Sequence, residues 1–155
     1  MDNILYTILS LINLIRINLI TFFIKKSKKK IIFFYHPRPK LTLIHKHYIE
    51  DMFKNFPERY KIIYGHQLIK LKQSNHFFIK EKYLRSLFNI DYFVSNNLCD
   101  YFSVNSKKIY IHHNLYDDPW VSRENEKKMC ERLNKYDHIL MSASFSLKRI
   151  KQTFE

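Results

Sequence analysis

Three short runs decide the fold: IIFFY at residues 31–35, KIIY at 61–64 and IYI at 109–111. Successive side chains of a strand point to opposite faces of a sheet, so each run is apolar on both faces. Strands with one face in water alternate apolar and polar; strands covered on both faces, as in helix-flanked parallel sheets, do not. Further strand-like runs stand at His76–Ile79, Tyr92–Ser95 and His138–Met141. Helical patterns fall between them, near Leu41–Asn55, Glu81–Phe88 and Ser122–Tyr136, and again from Ser144 to the end. This alternation predicts an open, mostly parallel α/β sheet flanked by helices over residues 31–155.

Composition narrows what such a domain can do. The 155 residues include one glycine, Gly65, and one alanine, Ala143. A Walker-type phosphate loop and a G-x-G-x-x-G dinucleotide fingerprint each need several glycines where backbone meets phosphate, so both are excluded. A 46% hydrophobic fraction argues against wholesale disorder. The net charge is +13, from 27 Lys+Arg and 14 Asp+Glu. Lys, Asn, Ile, Phe and Tyr are over-used while Ala, Gly, Pro and Arg are scarce, as A/T-rich coding produces. Pooled charge therefore indicates a preference for anionic partners and no more. Cys99 and Cys130 lack C-x-x-C spacing or a histidine cluster, and no metal or redox cofactor is expected.

The charge is not evenly spread. Residues 4–24 form a 21-residue apolar run broken by one charge, Arg16, and followed by Lys25, Lys26, Lys28, Lys29 and Lys30. Such a helix is long enough to cross a hydrocarbon core of about 30 Å. If it crosses, the lysines hold the rest of the chain on the cytoplasmic face of the cell membrane. A second geometry is written into the same residues. Asn3, Thr7, Ser10, Asn13, Asn18 and Thr21 share one arc of the helical wheel, with Arg16 beside it, so the helix also suits an interfacial position with lysines on anionic headgroups. Residues 1–30 are thus expected to form a membrane-associated helix, with an ordinary buried helix of a soluble domain as the competing reading.

In open α/β sheets, ligands bind outside the carboxyl ends of the strands. Two stretches fall there: Tyr35-His36-Pro37-Arg38, where His36 and Arg38 suit a phosphate, and the segment 108–120, with His112, His113, Asn114 and Asp117. A histidine at a strand end can act as general base near neutrality, with Asp117 or Asp118 to orient it. Without a visible nucleophile, that pair suits base-assisted attack by a bound hydroxyl.

Residues 108–150 resemble the CDP-glycerol glycerophosphotransferase family, the teichoic-acid primases and polymerases and their capsule-type relatives. The likeness rests on Ile109-Tyr-Ile-His-His-Asn-Leu115 and Tyr136-Asp-His-Ile-Leu-Met-Ser142, with Ile90-Asp-Tyr-Phe-Val-Ser-Asn96 similar to the preceding strand. Asn114-Leu115 stands where the family has Ser-Leu or Gly-Thr. The resemblance implies a glycosyltransferase-B-like lobe, of which this chain would be the amino-terminal half. It implies CDP-glycerol as donor, a lipid-linked polymer as acceptor, and His113 as the base that deprotonates the acceptor hydroxyl. His36, Arg38, His112 and Asn114 would then touch substrate. Two other classes compete: a membrane-tethered accessory protein of the same fold, and a basic nucleic-acid binder, which lacks any recognisable motif. No nucleic-acid partner is expected.

Overall fold

The structure, a computed structural model, describes residues 2–37, 58–67, 75–111 and 123–140. The expected helices at 41–55 and beyond 144 lie outside these residues. Helix α1 (Asp2–Lys26) comes first, then strands β1 (Lys30–His36), β2 (Tyr60–His66) and β3 (His76–Phe78). A six-residue 3-10 helix spans Glu81–Ser86, where the sequence pattern suggested a longer α-helix. Strands β4 (Tyr92–Ser95) and β5 (Lys107–Ile111), helix α2 (Arg123–Leu133) and strand β6 (His138–Leu140) complete the set.

The six strands form one open sheet in the order β3-β2-β1-β4-β5-β6, and every neighbouring pair is parallel. The chain builds outward from β1 to β3, then returns to the other side of β1 and builds outward to β6. This is a doubly wound sheet, and its order reverses between β1 and β4.

The two-sided apolar runs do what their pattern requires. Ile31, Phe33 and Tyr35 of β1 join Ile63, Phe77 and Phe93 on one face, against Ile17 of α1 and Leu84 and Leu87 of the connector. Ile32, Phe34, Tyr64 and Val94 occupy the opposite face. Phe33 and Phe93 stack at 5.9 Å, so the pair at the order reversal is also a ring contact. The single glycine belongs to this packing. A Cβ on Gly65 would stand 2.4 Å from Phe33 Cζ and 3.2 Å from Ile79 Cγ2. Left-handed backbone, which glycine usually serves, falls instead to Lys28, Asn75 and Asn89. Asparagine tolerates that region because its short side chain bonds locally.

Two aspartates hold the amino ends of the strands in register. The Asp91 N–H donates to Ile31 O, and the Ile31 N–H donates back to Asp91 Oδ2 at 2.7 Å. Asp137 does the same to Lys108, with its N–H on Lys108 O and the Lys108 N–H on Asp137 Oδ2 at 2.6 Å. Each aspartate therefore extends the ladder by one turn of pairing just before its own strand begins. The aspartate of Tyr136-Asp137-His138 is thus a strand clamp.

Helix α1 is laid on the sheet with Leu14, Ile17, Ile20 and Ile24 against the core and its polar arc also turned inward. Ser10 and Thr21 are fully buried, as is Ile17 between them. The Lys80 N–H donates to Ser10 Oγ, Asn13 Nδ2 donates to Phe78 O, and Thr21 Oγ1 donates to Phe88 O. Asn18 serves two groups at once: its Nδ2 donates to Ser86 O at 3.0 Å, and its Oδ1 accepts from the Phe88 N–H at 2.9 Å. The polar arc read from the sequence is real. It faces the connector between β3 and β4, whose backbone groups leave the sheet ladder and need partners.

Two substitutions test this packing by thermal or denaturant unfolding. Asn18→Leu makes α1 more apolar yet should cost about 2–3 kcal/mol, since two backbone groups lose their partner. Unchanged stability would contradict the docking of α1. Gly65→Ala should cost about 1–3 kcal/mol by overpacking against Phe33, whereas a neutral or stabilising result would contradict the close approach.

Candidate functional site at the strand-order reversal

A doubly wound sheet opens a crevice where its order reverses, because the connections leaving the two central strands run to opposite faces. Here the carboxyl ends of β1 and β4 flank that point, and their register pairs Tyr35 with Ser95. The exits carry polar groups into a buried setting: His36, Ser95 and Asn96 are each 2% exposed or less. Pairing with β2 sets His36 directly beside His66. By the strand alternation His36 lies on the face of Phe34, away from α1. His66 and His76, also buried, share that face, with the His76 ring stacked on Tyr64 at 4.5 Å. Among the described residues no group of His, Cys, Asp or Glu has the arrangement of a metal site.

The turn after β4 is fixed by a compact set of bonds. Ser95 Oγ donates to Asn97 O at 2.6 Å and accepts from the Asn97 N–H at 3.1 Å. Tyr136, from the far side of β5, reaches beneath the turn. Its hydroxyl accepts from the Cys99 N–H at 3.0 Å and donates to Asn97 O at 3.1 Å. The Asp100 N–H donates to Glu81 Oε1, and Arg132 of α2 grips the Asp100 carboxylate through Nε and Nη2. That last pair is exposed and adds little stability by itself. Together these contacts tie the turn to the connector, to α2 and to β6, so Asn96 is presented from a rigid support.

Burial governs the ionisable groups here. It pushes the Tyr35 and Tyr136 phenols well above their ordinary value. Tyr35 keeps a hydrogen bond from Gln67 Nε2 at 2.7 Å. Burial also pushes the Cys99 thiol up to about 12 and the Tyr110 phenol to about 12. Both cysteines are buried, reduced thiols. Cys99 therefore remains protonated and inert at neutral pH, although it follows Ser95, at the strand-order reversal, by only four residues.

His36 is the one residue of the expected catalytic and substrate-binding set that falls within the described residues. Arg38, His112, His113, Asn114 and Asp117 lie outside them. The described part of β5 ends at Ile111 on the carboxyl edge of the sheet, immediately before His112 in the chain. The reading from sequence missed Ser95, Asn96 and Tyr136. Ser95-Asn96 was within reach, since it closes a strand-like run at the sheet edge where ligands bind. The role of Tyr136 was not, because a hydroxyl serving a turn 37 residues earlier leaves no local pattern.

The lysines at the end of α1 divide by role. Lys25 Nζ lies 2.6 Å from both Asp91 carboxylate oxygens, and Lys30 Nζ approaches one of them at 3.2 Å. Burial alone would raise the Asp91 carboxyl, but hydrogen bonds from Lys25, the Ile31 N–H and Lys30 outweigh it and hold it below the ordinary value. Lys26 instead extends over the rings of Phe22 and Phe23, at 4.8 and 5.8 Å. Lys28 is exposed, and Lys29 is half-buried. Arg16 is exposed, with its guanidinium 5.7 Å above the Phe77 ring.

No protein-family model, no curated protein and no solved structure matches this chain.

The state of Cys99 gives a direct test. The Cys99 thiol is buried and held in its protonated form, so iodoacetamide should leave the Cys99 peptide unmodified in the folded protein and alkylate it once guanidinium unfolds the chain. Alkylation of the folded chain at the rate of a free thiol would contradict the burial described here.

Proposed function

We propose that this chain is the amino-terminal α/β lobe of a membrane-associated glycerophosphotransferase of cell-surface polymer biosynthesis. The observation that carries the reading is the shared edge. Beta strands β1, β4 and β5 all end on one side of the sheet around the order reversal, with His36, Ser95 and Asn96 buried there. His113 follows the end of β5 by two residues. The chemistry is that of the resembled family. His113 takes the proton of an acceptor hydroxyl, oriented by Asp117. The hydroxyl oxygen attacks the β-phosphorus of CDP-glycerol, the pyrophosphate P–O bond breaks, and CMP leaves. His36, Arg38, His112 and Asn114 are the groups assigned to substrate.

The turn after β1 supports an acceptor role for this lobe. It reads Pro37-Arg38-Pro39 and has no glycine to bring backbone N–H groups against a pyrophosphate. The reading therefore leaves the donor nucleotide to a second α/β lobe. The helix α1, apolar and 25 residues long, supports a membrane location, where a lipid-linked acceptor resides. The cytoplasmic face is part of the same proposal and rests on the lysine cluster.

The test uses the full-length protein, CDP-glycerol labelled in the glycerol and a lipid-linked acceptor in detergent micelles. Transfer to lipid is expected from the unmodified protein. His113→Ala should lower it by about a hundredfold to ten-thousandfold without lowering the melting temperature. No transfer from CDP-glycerol would overturn the reading, and full activity in the variant would remove His113 as the base.

A further inference from the structure

The outward side of α1 is an apolar stripe with no partner among the described residues. Ile4, Ile8, Ile12, Ile15, Leu19 and Phe23 recur along it at helical spacing, and each is between 47% and 68% exposed. Surface helices of soluble domains turn such a stripe toward the core and a polar one toward water. In α1 the domain-facing side already carries Ile17 in the core with Leu14, Ile20 and Ile24 packed against it, and Ser10, Asn13, Asn18 and Thr21 bonded to the connector, so the outward apolar stripe is a second apolar face in excess of what the domain buries.

We propose that α1 lies in the plane of a bilayer surface, with its apolar stripe among the acyl chains and the sheet stacked above it, and that it does not cross the membrane. The proposal rests on the membrane-associated reading and adds the geometry. Three observations support it. Crossing would carry Asn13, Asn18 and Arg16 into hydrocarbon. It would also strip the connector's Lys80 and Phe88 N–H groups of their acceptors, which is costly in a buried backbone. Lying flat keeps every one of those bonds. The charge is also placed for a lipid surface. Lys26 sits over the exposed Phe22 and Phe23 rings at one end of the stripe, and exposed Lys28 follows it, so cations flank an aromatic end of the stripe as at a membrane interface.

The orientation has a consequence for the site. The amino-terminal half of α1 lies beside the carboxyl end of β3: Asn13 bonds Phe78 O, and the Tyr6 and Phe78 rings are 6.2 Å apart. The carboxyl edge of the sheet is thereby held along the bilayer surface rather than pointed away from it. An acceptor whose polar end extends from the same leaflet meets that edge from the α1 side, while His36 lies on the face of the sheet turned away from α1.

The experiment uses the full chain with preformed vesicles of phosphatidylcholine and phosphatidylglycerol. The chain should float with these vesicles. In the Asp2→Cys variant, a membrane-impermeant maleimide should label the new thiol without detergent, with the site located by peptide mass. Combined Ile12→Glu, Ile15→Glu and Leu19→Glu should lower the bound fraction at least tenfold while leaving the melting temperature unchanged. Labelling only after detergent would show a crossing helix and overturn the in-plane geometry while leaving membrane association standing. Undiminished flotation of the folded triple variant would overturn it too. So would an unmodified chain that stays off vesicles and forms a dimer that the triple variant dissolves, since the stripe would then be a protein interface. Transfer from CDP-glycerol in micelles is independent of all these outcomes.

Discussion

The segment that joins β3 to β4 crosses the reversal of strand order, and beyond Ile79, whose N–H still reaches His66 O of β2, much of its backbone lies off the sheet ladder. Between Phe78 and Phe88 at least five N–H and C=O groups find their partners on the side chains of α1 instead. The rest of the structure depends on that exchange. It holds α1 against Ile31, Phe33 and Phe77, seals one face of the sheet, and turns the apolar stripe of the helix outward. A helix bonded to its domain through Thr7, Ser10, Asn13, Asn18 and Thr21 has committed its polar arc to the domain and not to water. The membrane association proposed for the chain is therefore a property of the folded domain, not of a detachable anchor.

The same economy recurs at both ends of the strands. At the amino ends, Asp91 and Asp137 each return a backbone bond to the neighbouring strand, and Asp91 also ties Lys25 and Lys30 to the sheet. At the carboxyl ends, Ser95 and Tyr136 fix the turn that presents Asn96. Rigid support on one side of a crevice is what positioning chemistry needs, because small displacements of a reacting group cost rate steeply. Cys99 shows the same environment from another side. Burial that makes a good support makes a poor nucleophile, and its thiol stays protonated.

Much of the fold was legible in the sequence. Runs such as IIFFY and KIIY are apolar on both faces, and that pattern has few outlets other than a central parallel strand. The strand positions followed from it, and the longer helix expected at 81–88 is a six-residue 3-10 turn that buries Leu84, with Leu87 just after it, on the Phe33 face of the sheet while the Ser86 and Phe88 backbone bonds α1. The strand order was not legible, since alternation alone does not say that the chain returns to the far side of β1. The polar arc of α1 was visible on the helical wheel, but its direction was not. Asn13, Asn18 and Thr21 are equally suited to water, headgroups or unpaired backbone, and only the connector decides among them. The sheet edge was legible, and His36 does end β1 on it, while the Ser95–Tyr136 network depends on contacts distant in sequence. The scarcity of glycine was plain from the start. That the single one makes room for Phe33 needed the packing.

The central claim is that α1 satisfies the connector's backbone, and amide hydrogen exchange of the full chain measures it directly. The Lys80 and Phe88 N–H groups, bonded to Ser10 Oγ and Asn18 Oδ1, should exchange as slowly as the amides of β1 and be released only with the whole domain. Exchange of these two amides at the rate of an exposed loop, while β1 stays protected, would contradict the account.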